Sequence, residues 1–384
     1  TDGAGKGEAI ASGGVFIGAE QSSAGGINVG QNALTGAIVS DFLWDDTTIT
    51  YGFYELGVQY DDAPSDGGDG LTDGWTTADK AKVRDVFAEL ESFLDLTFVE
   101  VADVATANIA FAQDVLAGNV AGYAFLPFPP FTSNVVLDTN EMDRTDFDPS
   151  QLLTHEIGHA MGLEHPFEDV LLPGVREGQD QDPGDFGLNQ ILFTAMAYTQ
   201  NAATPSLPTQ EFFGSTYGFG AIDVAALQGM YAPNESNATG ANTYGLPDGQ
   251  FTIWDTGGSD TLDFSEAHED AVIDLRAASL NNEDGGGGHV SYLIENIFDP
   301  ASDDVRTNAS YSIARNAIIE NANGGEGNDT ITGNDAANNL DGMAGDDSII
   351  GAGGNDTLFG GVSDVLPSVN LIATEFAGQQ GVVE

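Results

Sequence analysis

Three of the five histidines in this 384-residue chain lie within one eleven-residue segment, His155–His165. His155 and His159 are four residues apart, so on a helix both imidazoles project from the same face. Gly162 can end that helix in a left-handed turn and bring His165 back toward them. Three neutral imidazoles hold Zn²⁺ with one coordination position open, which is typical of catalytic zinc. The segment therefore predicts a zinc site with His155, His159 and His165 as ligands.

Glu156 adjoins the first of these histidines and would lie beside water in the open position. A carboxylate there can take a proton from the water and return it to a leaving amine. Glu156 is thus the predicted general base of a peptide-bond hydrolysis. A histidine pair with one glutamate also arises by chance in unrelated chains, but Gly162 and His165 argue against a chance origin here.

A helix must present these side chains. Asp148 is its predicted N-cap and Pro149 its first residue, and four residues form an apolar face opposite the histidines: Leu153, Ile157, Ala160 and Met161. Upstream, Thr77 is the predicted N-cap of another helix, whose apolar stripe is Val83, Phe87, Leu90 and Leu94. Strands are predicted within Asp41–Tyr54, Leu96–Val101, Asn108–Ala112 and Asn134–Asp138. This order fits an α/β or α+β domain with a mixed sheet over residues 1–235, for which we take α+β as the fold class of a catalytic domain. A linker is predicted at Pro233–Thr243.

A nine-residue period follows within residues 236–384, which are rich in Gly, Asp and Asn. Gly324–Thr332 fits the nonapeptide G-G-x-G-x-D-x-U-x, in which U is a large apolar residue. Three further copies follow, and a fifth begins at Gly360. A flexible Gly/Asn linker is the alternative, and the repeated period argues against it. The apolar positions Ile331, Leu340, Ile349 and Leu358 are predicted to face a thin core.

Each repeat would form one turn and one short strand, so two repeats make one coil of an all-β parallel β-roll. Turns on the same side are then two repeats apart, which places Asp329 opposite Asp347 and Asn338 opposite Asp356. Hard oxygen ligands of this kind suit Ca²⁺, and folding is expected to depend on it. The predicted ligands are Gly325, Gly327, Asp329, Asn334, Ala336, Asn338, Gly342, Ala344, Gly345, Asp347, Gly351, Gly353 and Asp356.

The charge of the chain limits its partners. Lys and Arg number 9 against 61 Asp and Glu, a formal net charge of −52. Such a surface repels phosphates, so neither nucleic acid nor a membrane is an expected partner. There is no cysteine, which excludes disulfides and thiol chemistry. The acidic loop Asp61–Gly74 is either a solvated loop or a further calcium site.

The eleven-residue zinc pattern resembles that of the metzincins, and the chain as a whole resembles the serralysins. Met196 fits the methionine turn that metzincins place beneath the zinc. By the same resemblance Tyr198 would bind the resting zinc and then swing away to stabilise the oxyanion. Considered alone, Met196 fits a core methionine and Tyr198 a packed aromatic. Gly122–Pro127 resembles the serralysin edge strand, which would bind extended peptides through their backbone and accept many sequences.

The resemblance extends to the second domain. Phe251–Ser265 is similar to the start of the serralysin C-terminal domain. That similarity implies further calcium ligands at Asp255, Gly257, Gly258, Asp260 and Glu320. It also implies a secreted, extracellular protein exported by a bacterial type I route, with protein and peptide substrates.

Two functions of different classes follow from these observations. The first is a broad-specificity zinc endopeptidase with one catalytic Zn²⁺ and several structural Ca²⁺, expected to be a monomer. The second is a calcium-binding surface or adhesion protein whose protease domain is inactive. The intact histidines and Glu156 argue against the second, and the lack of a G-x-S-x-G motif argues against a repeat-bearing lipase. His268 and His289 are expected to be surface residues.

Overall fold

The computed structural model describes residues 30, 32–60, 69–118, 120–144, 148–199, 204, 218–246, 249–294 and 310–361, and the backbone of 370–372 and 382–383. The first eight residues of the acidic loop Asp61–Gly74 lie outside this part of the chain. The suggestion of a calcium site in that loop therefore stays a prediction.

The described chain divides into two compact units. The first takes the described residues up to Gly184, together with Ala195–Tyr198 and Asp223–Asn234. The second takes Asp185–Thr194, the described residues of Thr199–Ile222, and those from Glu235 onward. Neither unit is one continuous stretch. The division into domains 1–235 and 236–384 stays a prediction.

The first unit contains a five-stranded sheet with the order β2-β1-β3-β5-β4. Its strands are β1 (Thr48–Phe53), β2 (Thr97–Glu100), β3 (Ile109–Asp114), β4 (Gly122–Ala124) and β5 (Ser133–Asp138). The pairs β1–β2, β1–β3 and β3–β5 are parallel, whereas β4 runs antiparallel to β5. The predicted edge strand is therefore the edge of this sheet, with one side of β4 unpaired within it.

The helices are α1 (Thr77–Phe93), α2 (Thr139–Met142), α3 (Ser150–Ala160) and α4 (Ala221–Tyr231). The predicted N-cap of α1 is wrong by one residue, because the cap is Thr76 and Thr77 is already helical. The reason is a capping box: Thr76 accepts a hydrogen bond from the backbone of Asp79, whose carboxylate bonds back to Thr76. Thr77 has Lys80 three residues on, which cannot complete such a box.

Helix α3 begins at Ser150 with Pro149 as its N-cap, so the predicted cap Asp148 is wrong by one residue. Asp148 nevertheless accepts the backbone N–H of Ser150 at 2.9 Å, and it also pairs with Lys82 at 2.9 Å. The apolar face predicted for this helix is buried: Leu153, Ile157, Ala160 and Met161 are each 0% exposed. The face opposite the histidines therefore anchors α3 in the core.

The second unit contains two further sheets. The strands of the first are β7 (Gln250–Ile253), β9 (Asp270–Asp274), β10 (Val290–Ile294), β11 (Ser310–Ile313), β13 (Thr330–Thr332), β15 (Ser348–Ile350) and β17 (Asn370–Ile372). Those of the second are β6 (Thr243–Tyr244), β8 (Thr261–Asp263), β12 (Asn321–Asn323), β14 (Asn339–Asp341), β16 (Thr357–Phe359) and β18 (Val382–Val383). From β12 onward, successive strands alternate between the two sheets.

The repeat spacing is confirmed in the pairing of these strands. Ile331 on β13 pairs in parallel with Ile349 on β15, and Leu340 on β14 with Leu358 on β16, in each case 18 residues apart. The four predicted apolar positions are buried in one cluster. The fold is thus mixed α/β, with several parallel sheets and a strand-rich C-terminal part.

Within the described residues, no helix has both the length and the apolar character that crossing a membrane requires.

Candidate functional site

Helix α3 and the turn after it place the three histidines. His155 and His159 lie on one side of α3, and the chain reverses at Gly162, where φ is +98°. A Cβ at Gly162 would lie 2.5 Å from the carbonyl oxygen of Phe42. Only glycine suits both this φ and this close approach, so Gly162 sets the turn that returns His165 to the helix.

The Nε2 atoms of the three histidines converge. Those of His155 and His159 each lie 3.1 Å from that of His165. Ligand nitrogens of all three lie within 4.8 Å of one another, a separation that one metal ion can bridge. The predicted ligand set is therefore brought together, and its members share one small, buried volume.

The other ring nitrogen of each histidine faces an acceptor. His155 Nδ1 donates to Ala195 O at 2.7 Å and His159 Nδ1 to Leu163 O at 2.8 Å. His165 Nδ1 lies 3.3 Å from a carboxylate oxygen of Glu168. A proton held on Nδ1 leaves the Nε2 lone pair free, which is how metal-binding imidazoles are usually oriented.

Burial keeps the imidazoles of α3 uncharged. It lowers the pKa of His155 to about 3, with a smaller contribution from the nearby His165. It also lowers the pKa of His159 well below its ordinary value. Neutral imidazoles are the form that binds a metal cation, so these two are ready to act as ligands near neutral pH.

Glu156 follows His155 on helix α3 and is buried. Its side chain is 4% exposed, and Oε2 has no hydrogen-bond partner among the described residues. Burial alone raises the pKa of Glu156 to about 8. A Cβ placed on Gly122 would lie 3.1 Å from Glu156 Oε1, so strand β4 passes directly beside this carboxylate.

Met196 lies against helix α3, and Tyr198 lies against His165. Met196 is 0% exposed, and its sulfur lies 2.7 Å from the position that a Cβ on Gly158 would take. Tyr198 Oη lies 3.0 Å from His165 Nε2, and its ring stands 5.0 Å from that of His165. Tyr198 is therefore in contact with His165, whereas Met196 packs against the helix that carries His155 and His159.

The calcium candidates at the start of the second unit also come together. Glu320 Oε2 accepts the backbone N–H of Asp260 at 2.8 Å. Asp255 Oδ1 accepts that of Gly257 at 2.9 Å, in a turn where Gly257 and Gly258 have φ of +137° and +157°. Asp260 is fully buried and its Oδ2 has no partner among the described residues. Burial, with a smaller effect of Asp255 and Glu320, raises the pKa of Asp260.

The repeat turns form two stacks, which we call the first and the second ladder. In the first, turn 324–329 stacks on turn 342–347: Gly325 O accepts from Ala344 N at 3.1 Å, and Asp347 Oδ1 from Asp329 N at 2.9 Å. In the second, turn 333–338 stacks on turn 351–356: Asn334 O accepts from Gly353 N at 3.1 Å, and Asp356 Oδ1 from Asn338 N at 3.0 Å. Asp329 and Asn338 thus face the residues predicted to lie opposite them.

Remaining calcium candidates lie in the same turns and contribute backbone only. Gly327 O lies 1.9 Å from the position of a Cβ on Gly345, and Ala336 O 2.0 Å from that of a Cβ on Gly354. Gly342 and Gly351 adjoin the carboxylates of Asp347 and Asp356 in the same way, with Cβ positions 2.2 and 2.4 Å from an Oδ2. The turns are packed so closely that glycine is needed at these contacts.

Parts of this chain match known families and proteins. The family model described as Peptidase M10 serralysin C terminal matches residues 247–308, and the RTX calcium-binding nonapeptide repeat matches 319–342 and 332–364. A serralysin of Photorhabdus luminescens is 32% identical over 276 residues, 64% of this chain and 50% of the relative. Serralysin G of Dickeya chrysanthemi is 30% identical over 304 residues, 70% of this chain and 56% of the relative. The metallopeptidase AprA of Pseudomonas marginalis is 33% identical over 253 residues, 60% and 46%.

The chain is a serralysin homologue. Its resemblance to that family, noted on the histidine segment and the nonapeptides, is confirmed by these matches. The chain spans about half the length of the curated relatives that it matches.

One residue of this serralysin homologue that supports the site was missed in the sequence. Asp223, in the first turn of α4, is 0% exposed and accepts the backbone N–H of Ala195 at 2.6 Å. Ala195 O in turn accepts from His155 Nδ1. The available signal was a single acid in an otherwise apolar helix, Ala221–Leu227, where a buried charge needs a partner.

Two aromatic residues of the serralysin homologue hold the end of α3 and were also missed. Trp44 Nε1 donates to Ala160 O at 2.9 Å, and the Tyr231 hydroxyl donates to Met161 O at 2.9 Å. These bonds satisfy carbonyls that have no partner inside the helix. His268, outside the zinc motif, pairs with Glu326 at the surface as expected, whereas His289 is mostly buried beside Asp274.

Proposed function

We propose that this chain is a zinc-dependent endopeptidase whose C-terminal part is stabilised by calcium. The observation that carries the proposal is the convergence of three imidazoles at the helix that also carries Glu156, whose buried Oε2 has no hydrogen-bond partner among the described residues. Kinship with serralysins supports it. The fold proposed with it is a metzincin-like catalytic domain over residues 1–235, followed by a calcium-binding parallel β-roll over 236–384.

His155, His159 and His165 fit a zinc ion. Their Nε2 lone pairs face one another, each Nδ1 faces an acceptor, and the imidazoles of α3 are neutral. Zinc bound there would polarise a peptide carbonyl and make water acidic enough to attack it. Cys ligands are absent from the chain, and an all-imidazole set is one that catalytic zinc uses.

Glu156 is the proposed general base. Its carboxylate takes a proton from the attacking water and returns it to the amine that leaves, so one side chain serves both steps. Burial raises its pKa to about 8. A group with a pKa near the working pH can both accept and donate a proton at low cost. Its Oε1 lies beside Gly122, the first residue of strand β4, which supports a role next to bound substrate.

Tyr198 is the proposed oxyanion stabiliser. Its hydroxyl lies within hydrogen-bond distance of His165 Nε2, where it can occupy the resting metal centre as a ligand. When substrate displaces it, the O–H can donate to the oxygen that gains negative charge at the scissile carbonyl. Met196 is proposed to support the histidines from below through its contact with Gly158.

Substrate is proposed to bind as an added strand along β4. The side of β4 away from β5 has no partner strand within the five-stranded sheet, and the strand begins beside Glu156. A peptide laid there would be held by backbone hydrogen bonds, which are the same for every sequence. The expected substrates are extracellular proteins, cleaved with broad specificity.

Calcium is proposed to bind at two places in the β-roll. One involves Asp255, Gly257, Gly258, Asp260 and Glu320, where the buried Oδ2 of Asp260 has no partner within the described part of the chain. The other is the first ladder, with ligands from Gly325, Gly327, Asp329, Gly342, Ala344, Gly345 and Asp347. Export by a type I route, an extracellular location and a monomeric state are proposed from the resemblance to serralysins.

The proposal is tested by casein hydrolysis with zinc and calcium quantified in the same preparation. The wild-type protein is expected to hydrolyse casein and to hold one zinc. Glu156→Ala should hold zinc and lose nearly all activity, about 10²- to 10⁴-fold, because it lacks the base. Glu235→Ala, which removes an exposed carboxylate, is the control and should match the wild type.

Either of two results would overturn the proposal that the chain is an endopeptidase. A Glu156→Ala variant as active as the wild type would exclude Glu156 as the base. A wild-type protein that holds zinc and calcium but cleaves no peptide bond would favour the calcium-binding surface protein instead.

A further inference from the structure

The two ladders of repeat turns differ at one position. Asp329 and Asp347 occupy the sixth position of both turns in the first ladder, whereas the second ladder has Asn338 in one turn and Asp356 in the other. Residues of both ladders fit the pattern expected of calcium-binding nonapeptides. The asparagine bears on whether turn 333–338 can bind calcium.

The first ladder holds two buried carboxylates. Asp329 is 1% exposed and accepts N–H groups of Gly325 and Ala271 at 2.6 and 2.7 Å. Asp347 is 4% exposed, accepts from Asp329 N, and keeps Oδ2 without a partner among the described residues. Two buried negative charges with a free oxygen are costly unless a cation lies between them.

The second ladder holds no comparable charge. Asn338 is 2% exposed and neutral, and Asp356 is half-buried rather than buried. The one carboxylate present is thus partly solvated, and no buried carboxylate oxygen of this ladder lacks a partner among the described residues. A cation site here would have half the charge of the first ladder and more competition from water.

Both polar atoms of the Asn338 side-chain amide already make hydrogen bonds within the protein. Its Oδ1 accepts from Asn334 N at 2.9 Å, and its Nδ2 donates to Glu320 O and to Asn334 Oδ1, both at 3.1 Å. In the first ladder, the equivalent atom of Asp329 accepts the backbone N–H of Ala271 on strand β9. The asparagine reverses this polarity, because Asn338 donates to the carbonyl of Glu320 where Asp329 accepts an N–H from Ala271.

Asn334 completes the turn in the same way. Its Nδ2 donates to Leu275 O at 3.1 Å and to Ile319 O at 2.8 Å, and its Oδ1 accepts from Ala336 N at 2.9 Å. Two amides therefore tie the turn to three carbonyls of neighbouring segments. These hydrogen bonds join the turn to its neighbours, and a bound cation would join them in the same way.

We propose that turn 333–338 is locked by the amides of Asn334 and Asn338 and takes no calcium, so that the repeats bind calcium on the first ladder alone. The inference rests on the calcium-binding part of the proposed function. It removes Asn334, Ala336, Asn338, Gly351, Gly353 and Asp356 from the predicted calcium ligands. The degenerate repeat is then a turn that needs no ion, between turns that do.

The experiment counts calcium ions bound by the full chain, using native mass spectrometry after dialysis against CaCl₂. Asp347→Asn should bind one ion fewer than the wild type, and Asp356→Asn the same number. Asn338→Asp should bind one more, because it adds the second carboxylate and removes the amide that donates to Glu320. Asn339→Asp, an exposed neighbour with the same charge change, is the control and should match the wild type. Circular dichroism confirms that each variant is folded.

Four results would overturn the inference. A loss of one ion in Asp356→Asn would mean that the second ladder binds calcium. An unchanged count in Asn338→Asp would mean that the amide is not what excludes it. A wild-type protein with no calcium, or an Asp347→Asn variant with an unchanged count, would refute the first-ladder site, and with it the calcium part of the proposed function.

Discussion

Ala195 links a buried carboxylate to a candidate zinc ligand through its two backbone polar groups. Its N–H is held by Asp223 and its carbonyl by His155 Nδ1. The imidazole is therefore oriented by a residue 68 positions away that never touches it. Partners of this kind fix the orientation and basicity of a metal-binding histidine.

At the residue scale, we expect Asp223→Ala to weaken zinc binding about 10- to 100-fold, the usual cost of losing an outer partner. Asp223→Asn should recover part of that loss, because its amide oxygen can accept the same N–H. The measurement is competition for zinc with a chelator of known affinity. Asp85→Ala removes an exposed carboxylate and serves as the control.

A role of Asp223 in stability alone would give a different result. Asp223→Ala would then lower the unfolding temperature and bind zinc as tightly as the wild type while folded.

At the element scale, the capping box decides where α1 begins. Thr76 and Thr77 are adjacent and chemically identical, so composition does not distinguish them. The difference is Asp79, which lies three residues after Thr76 and bonds back to it. Val83, Phe87 and Leu90 of helix α1 are buried, and the ring of Phe87 lies 4.3 Å from that of Tyr51 on β1.

We expect Thr76→Ala to lower the free energy of unfolding by about 1 kcal/mol, the typical cost of losing an N-cap. Thr77→Ala should change it by less than about 0.5 kcal/mol, since alanine is a good helix former and Thr77 caps nothing. Urea unfolding of the two variants side by side is the measurement. Equal effects of the two substitutions would contradict the assignment of the cap.

At the scale of the whole molecule, a chain with a net charge of −52 depends on how its buried carboxylates are compensated. Burial, with the nearby Asp329, Asp341 and Asp346, raises the pKa of Asp347 to about 6. A carboxyl group whose pKa is higher in the folded than in the unfolded state stabilises the fold when protonated. That contribution is present at pH 4 and is lost as the pH rises through about 6.

Without calcium, we therefore expect the nonapeptide repeats to lose stability between pH 4 and pH 7. Calcium should offset this loss by binding the ionised carboxylate, and its affinity should fall below pH 6 as protons compete. The measurement is thermal unfolding by circular dichroism across this range, in EDTA and in excess calcium.

Asp347→Asn should flatten the pH dependence in EDTA relative to the wild type. Asp335→Asn, which changes an exposed residue of the same repeats, controls for the general effect of net charge. Identical pH profiles of the wild type and Asp347→Asn would rule out the titration of Asp347 as the cause.

The features that the sequence determined by itself are those set by short, regular spacings. Four residues separate His155 from His159 on one helix face, and Gly162 is the glycine that returns the chain to His165. A nine-residue repeat makes strands two repeats apart neighbours, which gave the 18-residue offset between Ile331 and Ile349. Helix and strand periods are properties of the backbone, so they apply before any tertiary contact is known.

The tertiary structure alone decided which distant groups meet. Asp223 reaches Ala195, Trp44 and Tyr231 hold the end of α3, and Asn338 turns its amide toward Glu320. Each of these contacts joins segments whose approach depends on how whole elements pack. A repeat pattern shows that Asn338 takes the place of an aspartate, but the direction in which its amide donates is set by the carbonyls that packing brings beside it.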